Sequence, residues 1–347
     1  MLDELWLTNN GPMVQELEQG LTEYFGVKHC IAMNNGTIGL ELAIRACGLT
    51  GEVIVPSMTF IATAHALQWQ GIRPVFADID PQTLNLCPAS VDALISPATT
   101  GILGVHLYGR PCAIDDLTVL ARRRGLKLIF DAAHAFGSGY RDTPIGNFGD
   151  CEVFSFHATK VFNTFEGGAV TTNNDELASR LRLMRNFGFE GEDNVSYIGT
   201  NGKMAEINAA MGLTNLDAID GFMAANKANY AVYEAGLTGI PGITLTTYDR
   251  SQSQNYQYVI IRVDPMGFRR SRDELKMHLE SHGVMARRYF YPGCHRMEPY
   301  RTLYPDAGKM LPVTEAFAAE VLALPTGTQI NCDEVRWICG LVREFAR

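Results

Sequence analysis

Apolar and polar positions change period along this chain. From about residue 27, short apolar runs rich in β-branched and aromatic residues alternate with stretches whose apolar residues recur at helical spacing. The runs are Val53 to Pro56, Pro74 to Asp78, Ile102 to Leu107, Leu126 to Asp131, Glu152 to Phe156 and Gly168 to Thr172. Between them the spacing predicts helices such as Thr37 to Cys47, Ala62 to Gln70 and Ile114 to Arg124, each ended by glycine or a polar turn. Strands and helices in alternation predict a parallel sheet covered by helices, an α/β domain. From Met204 to about Leu237 the pattern is almost continuously helical. Beyond Ile243 come a strand (Tyr256 to Val263), a helix (Arg272 to His282), another strand and two terminal helices. That mixture predicts a smaller α+β domain, so residues 1–217 are read as the large domain and 218–347 as the small one. No repeat of solenoid period is present.

Composition narrows the function classes. At 347 residues with 46% hydrophobic and 19% charged residues, the chain can bury a large core and is long enough for an enzyme. The net charge of -9 and the short basic clusters (Arg122 to Arg124, Arg269/Arg270/Arg272, Arg287/Arg288) give no footprint for nucleic acid. The eight cysteines are scattered, with no Cys-x-x-Cys pair and no histidine spacing for zinc, so no metal is expected. They read as small core residues of a reducing compartment. No run approaches the ~20 apolar residues of a membrane span, and the acidic start Met1-Leu-Asp-Glu-Leu-Trp is unlike a signal peptide, so a cytoplasmic location is expected.

Three segments carry candidate chemistry. Leu128-Ile-Phe-Asp131-Ala-Ala-His134 is an apolar strand that delivers a carboxylate at its C-terminal end, where ligands gather in open α/β sheets. Taken alone, such an aspartate equally serves to cap the next helix. Val153-Phe-Ser155-Phe-His-Ala-Thr-Lys160, followed by Glu166-Gly167-Gly168, places one lysine in a polar turn four residues beyond a buried strand. Partial desolvation there lowers an amine's pKa and makes it nucleophilic, which fits a Schiff base, although a lone lysine at a strand end is usually a surface residue. In Asn35-Gly36-Thr37-Ile38, small polar residues open a helix, and backbone amides with a hydroxyl beside them form a phosphate site or a plain N-cap. A phosphate cradle, a buried acid and a lysine are the three groups a pyridoxal cofactor requires: an anchor, a partner for the ring nitrogen and a holder for the aldehyde.

Together these segments resemble the DegT/DnrJ/EryC1/StrS family of nucleotide-sugar aminotransferases. The resemblance extends over nearly the whole chain, through Trp6-Leu-Thr8-Asn9-Asn10-Gly11-Pro12, Pro56-Ser-Met-Thr-Phe60-Ile-Ala-Thr63 and His106-Leu-Tyr-Gly109. It implies a fold-type I, aspartate-aminotransferase-like architecture, with a mostly parallel mixed sheet flanked by helices and a smaller C-terminal α+β domain. It also implies pyridoxal 5'-phosphate, a homodimer with shared active sites, and L-glutamate as amino donor. Carried over by position, Lys160 holds the cofactor and Asp131 pairs with its ring nitrogen. His134 lies near its phenolic oxygen, Phe60 stacks on it, and Gly36, Thr37, Ile38 and Ser155 bind its phosphate. Asn201 and Lys203, in Gly199-Thr-Asn201-Gly-Lys203, are candidates to reach the partner's phosphate. Asn9, Asn10 and the segment Arg288-Tyr-Phe-Tyr291-Pro-Gly-Cys-His295 are the candidate substrate contacts, since arginine beside aromatic rings suits a nucleotide diphosphate.

Within the family, the opening motif and Ser-Phe-His-Ala-Thr-Lys look most like the viosamine and desosamine type, which aminates the C4 ketone of a dTDP-4-keto-6-deoxyglucose. A sugar 3-aminotransferase, an aminocyclitol aminotransferase and a cofactor-binding regulator without turnover are the alternatives. Retention of Lys160 argues against a family dehydratase, and the absence of Gly-x-Gly-x-x-Gly and of a P-loop motif argues against nicotinamide or nucleotide-triphosphate enzymes. By resemblance, an N-terminal segment of about twenty residues would precede Trp6.

Overall fold

A computed structural model describes residues 5–346. The helix α1 (Pro12–Phe25) begins with proline, a good first residue because its missing N–H would be unpaired there, and ends at Gly26 in the left-handed region. Val14, Leu17, Leu21 and Phe25 recur on its buried face. Seven strands follow in one sheet: β1 (His29–Met33), β2 (Glu52–Pro56), β3 (Arg73–Ala77), β4 (Thr99–Val105), β5 (Lys127–Asp131), β8 (Cys151–Ser155) and β9 (Gly168–Thr172), with β6 (Gly139–Tyr140) and β7 (Thr143–Pro144) forming a small separate hairpin. Their order is β1-β9-β8-β5-β4-β2-β3. Five adjacent strands, β8, β5, β4, β2 and β3, run parallel through four pairings, while β9 is antiparallel to both β1 and β8. The reversal is local in origin. Residues 156–167 turn straight back from β8 instead of crossing over through a helix, so the chain re-enters beside the strand it left.

Helices cover both faces, as near-continuous strand burial requires. On one side α1, α5 (Ile114–Arg124) and α7 (Glu206–Leu237) enclose a core with Phe25, Phe130, Phe136, Phe154, Phe156 and Phe162. On the other, α2 (Gly36–Ala46), α3 (Ile61–Gln68) and α6 (Asp175–Arg185) bury Ile44, Val55, Leu67, Leu103 and Val170. The remaining helix of this part is α4 (Pro88–Leu94). Acidic residues open α5 and arginines close it, complementing its dipole.

Residue 217 lies inside α7. The N-terminal part of that helix (Ala209, Ile219) packs into the first core, whereas Tyr230, Tyr233 and Leu237 pack into a separate cluster with Val259, Ile261, Leu275 and Val342. This second body is built on β10 (Ile243–Leu245), β11 (Val259–Val263) and β12 (Val321–Leu324), an antiparallel sheet in that order. The helices Arg272–Ser281 and Cys332–Phe345 lie with it, each opened by a reciprocal capping box. The C-terminal region does not all stay with this body. Cys294, Tyr300 and Leu311 return to the α2/α3 face of the large sheet, where burying three apolar side chains outweighs sequence proximity.

At the sheet edge that carries the ends of β2, β4, β5 and β8, the loops 34–37, 57–60, 106–110, 132–138 and 156–167 converge. The approach of α2 to this edge depends on glycine. A Cβ on Gly168 would stand 2.7 Å from both the Gly36 nitrogen and the Phe154 oxygen. Gly168→Ala is therefore expected to destabilise the protein by about 1–3 kcal/mol in a urea titration. Gly221→Ala, on an exposed stretch of α7 with open space around it, is expected to stabilise it by about 0.5–1 kcal/mol.

Candidate active site

The helix α2 points its positive end at the converging loops. Asn35 caps it, its Oδ1 accepting the Ile38 N–H at 2.8 Å. Gly36 is packed so closely that an added Cβ would lie 3.0 Å from the Ser155 Cβ, which brings the helix terminus beside the end of β8. The first turn thus brings its amides and Thr37 beside Ser155 at the end of β8, an arrangement suited to an anion.

Asp131 closes β5 and is 6% exposed. One oxygen accepts from the Thr63 hydroxyl at 2.8 Å and the other from the Ala133 N–H at 3.0 Å. Burial pushes its carboxyl above the usual range, and these two donors, with Lys160, act against that shift. Lys160 sits in the return loop between β8 and β9, its Nζ 3.3 Å from the Tyr258 hydroxyl. Burial lowers its pKa to about 8, and Asp131 opposes the fall. His134 is buried, and its Nδ1 accepts the Tyr108 N–H at 3.2 Å. Burial, reinforced by Lys160, holds its pKa well below the ordinary value, so the ring is neutral.

Behind Asp131 lies a fully buried pair. His106 Nε2 meets Glu152 at 2.7 Å, while its Nδ1 accepts the Cys112 N–H at 3.0 Å. Glu152 also takes the N–H groups of Gly146 and Phe148, and the His106 backbone N–H donates to the Asp131 carbonyl at 2.9 Å. The end of β5 is therefore held from beneath by a satisfied polar network, the form in which buried charge is tolerated.

A cavity of about 530 Å³ opens above these groups. Of the residues singled out in the sequence, Gly36, Thr37, Phe60, Asp131, His134, Ser155 and Lys160 all line it. Phe60 caps α3 with its ring 57% exposed toward the opening. The opposite wall comes from the C-terminal body and includes Gln257, Tyr258, Arg287, Tyr289 and Thr326. Sequence reasoning missed that wall and Thr63 alike, because nothing in the spacing of Gln257, Tyr258 or Thr326 reveals that they share a cavity with a lysine far earlier in the chain. Arg288 and Tyr291 line an adjoining cavity of about 440 Å³ that shares Phe60, Arg287 and Tyr289 with the first. There Arg288 pairs with Asp273 at 3.2 Å and lies over the Tyr291 ring at 4.6 Å.

Other candidates lie elsewhere. Ile38 does not reach the cavity wall, and its N–H is engaged by the Asn35 cap. His295 must be corrected: it is buried, held by Ser57 at 2.6 Å and Glu315 at 2.8 Å, and ties the 294–296 turn to the end of β2. Its hydrogen-bonding capacity is spent inside the protein, so it does not face a substrate. Asn9 and Asn10 sit against the start of α7 and Arg185, outside this cavity. Asn201 and Lys203 also lie outside it, on a loop stitched to the end of β1, with Lys203 Nζ over the Phe187 ring at 4.2 Å.

Comparison with known proteins gives this constellation its context. Residues 1–343 match the DegT/DnrJ/EryC1/StrS aminotransferase family. The chain is 41% identical to the dTDP-4-amino-4,6-dideoxy-D-glucose transaminase of Shigella dysenteriae, over 99% of this chain and 94% of that protein. It is 34% identical to the dTDP-3-amino-3,4,6-trideoxy-alpha-D-glucose transaminase of Streptomyces venezuelae, over 97% and 88%. The fold matches the crystal structure of DesI in the presence of its TDP-sugar product with a TM-score of 0.94 and 50% identity, over 99% of this chain and 87% of that one. The match over residues 1–343 and the 41% identity identify the chain as a member of the DegT/DnrJ/EryC1/StrS aminotransferase family, a pyridoxal-phosphate-dependent aminotransferase, and Lys160 and the buried Asp131 line one cavity in it.

Proposed function

We propose that this protein transfers the amino group of L-glutamate to the C4 ketone of a dTDP-4-keto-6-deoxy sugar, with pyridoxal 5'-phosphate in the 530 Å³ cavity. The observation that carries the reading is the placement of Lys160 and Asp131 on one cavity whose floor is the N-terminus of α2. The residues fit the cofactor. Asp131 is a buried carboxylate with two side-chain-directed donors among the described residues, so it keeps lone pairs for the proton of a ring nitrogen, and a cation there would bring its raised pKa back down. The α2 terminus with Gly36, Thr37 and Ser155 suits the phosphate, and Phe60 and His134 offer flat faces to a flat ring.

When bound, pyridoxal phosphate supplies an aldehyde for amines and a ring that takes up the electron pair released at the substrate carbon. The protein's own groups do the rest. With a pKa near 8, Lys160 is partly neutral at physiological pH and so available as a nucleophile. With the cofactor and substrate bound, the Lys160 amine, lining the same cavity, would serve to take and return the substrate carbon's proton. His134, kept neutral, donates without adding a second positive charge beside Lys160.

Arg287, Arg288 and Tyr291 in the adjoining cavity are suited to the diphosphate and base of the acceptor. Resemblance to both a C4 and a C3 transaminase leaves regiochemistry to sequence closeness, and the 41% against 34% identity favours C4. A homodimer completes the reading: Leu5, Trp6, Leu7, Phe187, Ile198 and Ile207 are exposed on the same region as Asn201 and Lys203, which would then serve the partner's phosphate. Among the described residues no helix is long and apolar enough to cross a membrane; the reading places the protein in the cytoplasm.

Loaded with pyridoxal phosphate, the wild type should show a visible band that glutamate abolishes, and Lys160→Ala should lack that band; a protein that binds no cofactor would overturn the reading. In the cofactor-free protein, labelling of Lys160 by a small aldehyde with borohydride should rise with pH and reach half its maximum near pH 8, since only the neutral amine reacts. An ordinary lysine would titrate at about 10.4. Asp131→Asn should still bind cofactor but lose turnover by about 10²–10³-fold, the equivalent of roughly 3–4 kcal/mol for a buried charge pair, measured as kcat with glutamate and the dTDP-keto sugar.

A further inference from the structure

Transamination brings two unlike substrates to one point. The donor's nitrogen and the acceptor's ketone carbon must each come to the end of Lys160, so the two molecules occupy the cavity in turn. Both carry negative charge away from the reacting atoms: carboxylates on glutamate, a diphosphate on the nucleotide sugar. An anion leaving water for a largely apolar cavity needs a cation that the protein has not already neutralised.

Few cations line the two adjoining cavities. Lys160 is the reacting amine, His134 is held neutral, and His157 Nε2 lies 3.6 Å from Glu166. In the second cavity Lys276 pairs with Glu280 and Arg288 with Asp273. Arg287 lines both cavities, and its side-chain partners among the described residues include no carboxylate.

The place of its guanidinium is fixed from two sides. The Arg287 backbone is bonded reciprocally to Ala323 on β12, donating at 3.0 Å and accepting at 2.7 Å. Its Nη1 donates to the Tyr289 hydroxyl at 2.8 Å, and its Nη2 lies 3.6 Å from the Met285 sulfur. Met285 and Tyr289 also line both cavities, so the charged head stands at their junction. The side chain is exposed, which leaves the rest of its five N–H donors open to a ligand. A planar fork of donors matches carboxylate and phosphate oxygens alike, which a point-charge ammonium does less well.

We propose that Arg287 is the cation the two substrates share, binding a carboxylate of the amino donor in the first half-reaction and the diphosphate of the acceptor in the second. The assignment rests on the donor and acceptor proposed above. It makes the two substrates rivals for one guanidinium as well as for one amine.

Wild type, Arg287→Gln and Arg287→Lys, each loaded with pyridoxal phosphate, are compared by stopped-flow absorbance in the separate half-reactions. The first is the loss of the visible band with glutamate, the second its return when the amine-form enzyme meets dTDP-4-keto-6-deoxyglucose. At low concentration of either substrate Arg287→Gln should react about 10–100-fold more slowly, and Arg287→Lys should recover part of both losses. The band itself, which reports cofactor loading, should stay as in wild type. In wild type, dTDP should compete with glutamate in the first half-reaction, and in Arg287→Gln that competition should weaken by the same factor as glutamate binding. A loss in one half-reaction only, or in neither, overturns the shared role, as does dTDP that leaves the wild-type glutamate step untouched. Should Arg287→Gln fail to load cofactor, the wild-type competition with dTDP decides by the same criterion. A wild type that ignores glutamate would overturn the donor reading, and one that glutamate converts but the keto sugar does not restore would overturn the acceptor reading; either takes this assignment with it, whereas both steps running in wild type without the paired losses sinks this assignment alone.

Discussion

Everything at the centre of this protein depends on keeping Lys160 and Asp131 opposite in charge preference within one sheltered cavity. Burial alone works against both, pushing the amine's pKa down and the carboxyl's up, toward a neutral pair. What restrains Asp131 is local: the Thr63 hydroxyl, the Ala133 N–H and the field of Lys160. Lys160 is left near the point of neutrality, which is where a nucleophilic amine is useful. The same desolvation that strains the site therefore prepares it.

That balance sets requirements on the rest of the fold. Lys160 reaches the edge only because β9 turns back beside β8, making residues 156–167 a return loop instead of a helical crossover. Asp131 is anchored because β5 ends over the His106–Glu152 pair, whose polar atoms are satisfied by three backbone N–H groups. The α2 terminus can approach because Gly36 and Gly168 carry no side chains. Each is a backbone condition, met far from the atoms that react.

The second body contributes differently. It packs Ile260, Val321 and Ala323 against Met58, Ile79 and Val105 of the large domain and supplies the far wall through Gln257, Tyr258, Tyr289 and Thr326. With α7 running through both cores and residues 294–311 returning to the first sheet, the two bodies are tied at several points. A wall so tied sets the position of the Tyr258 hydroxyl at Lys160 Nζ.

The alternation of apolar runs and helical spacing, the carboxylate at a strand end, the lysine beyond the next strand and the glycine-opened helix were all legible in the chain. They are local, short-range patterns, and together with the opening and His106-Leu-Tyr-Gly109 motifs they located the family. Six strands and the main helices fell within a few residues of their observed bounds, although α1 went unread because the pattern was followed only from residue 27, and the short run of β1 was not read as a strand. What only the tertiary structure decided is which distant segments meet. That Thr63 holds Asp131, that Tyr258 and Gln257 close over Lys160, and that His295 is held in the interior by Ser57 depend on contacts between residues 68 to 238 positions apart. Such contacts follow from how the two bodies pack, and packing is chosen by the summed burial of surfaces, which leaves no trace in the spacing of any one segment.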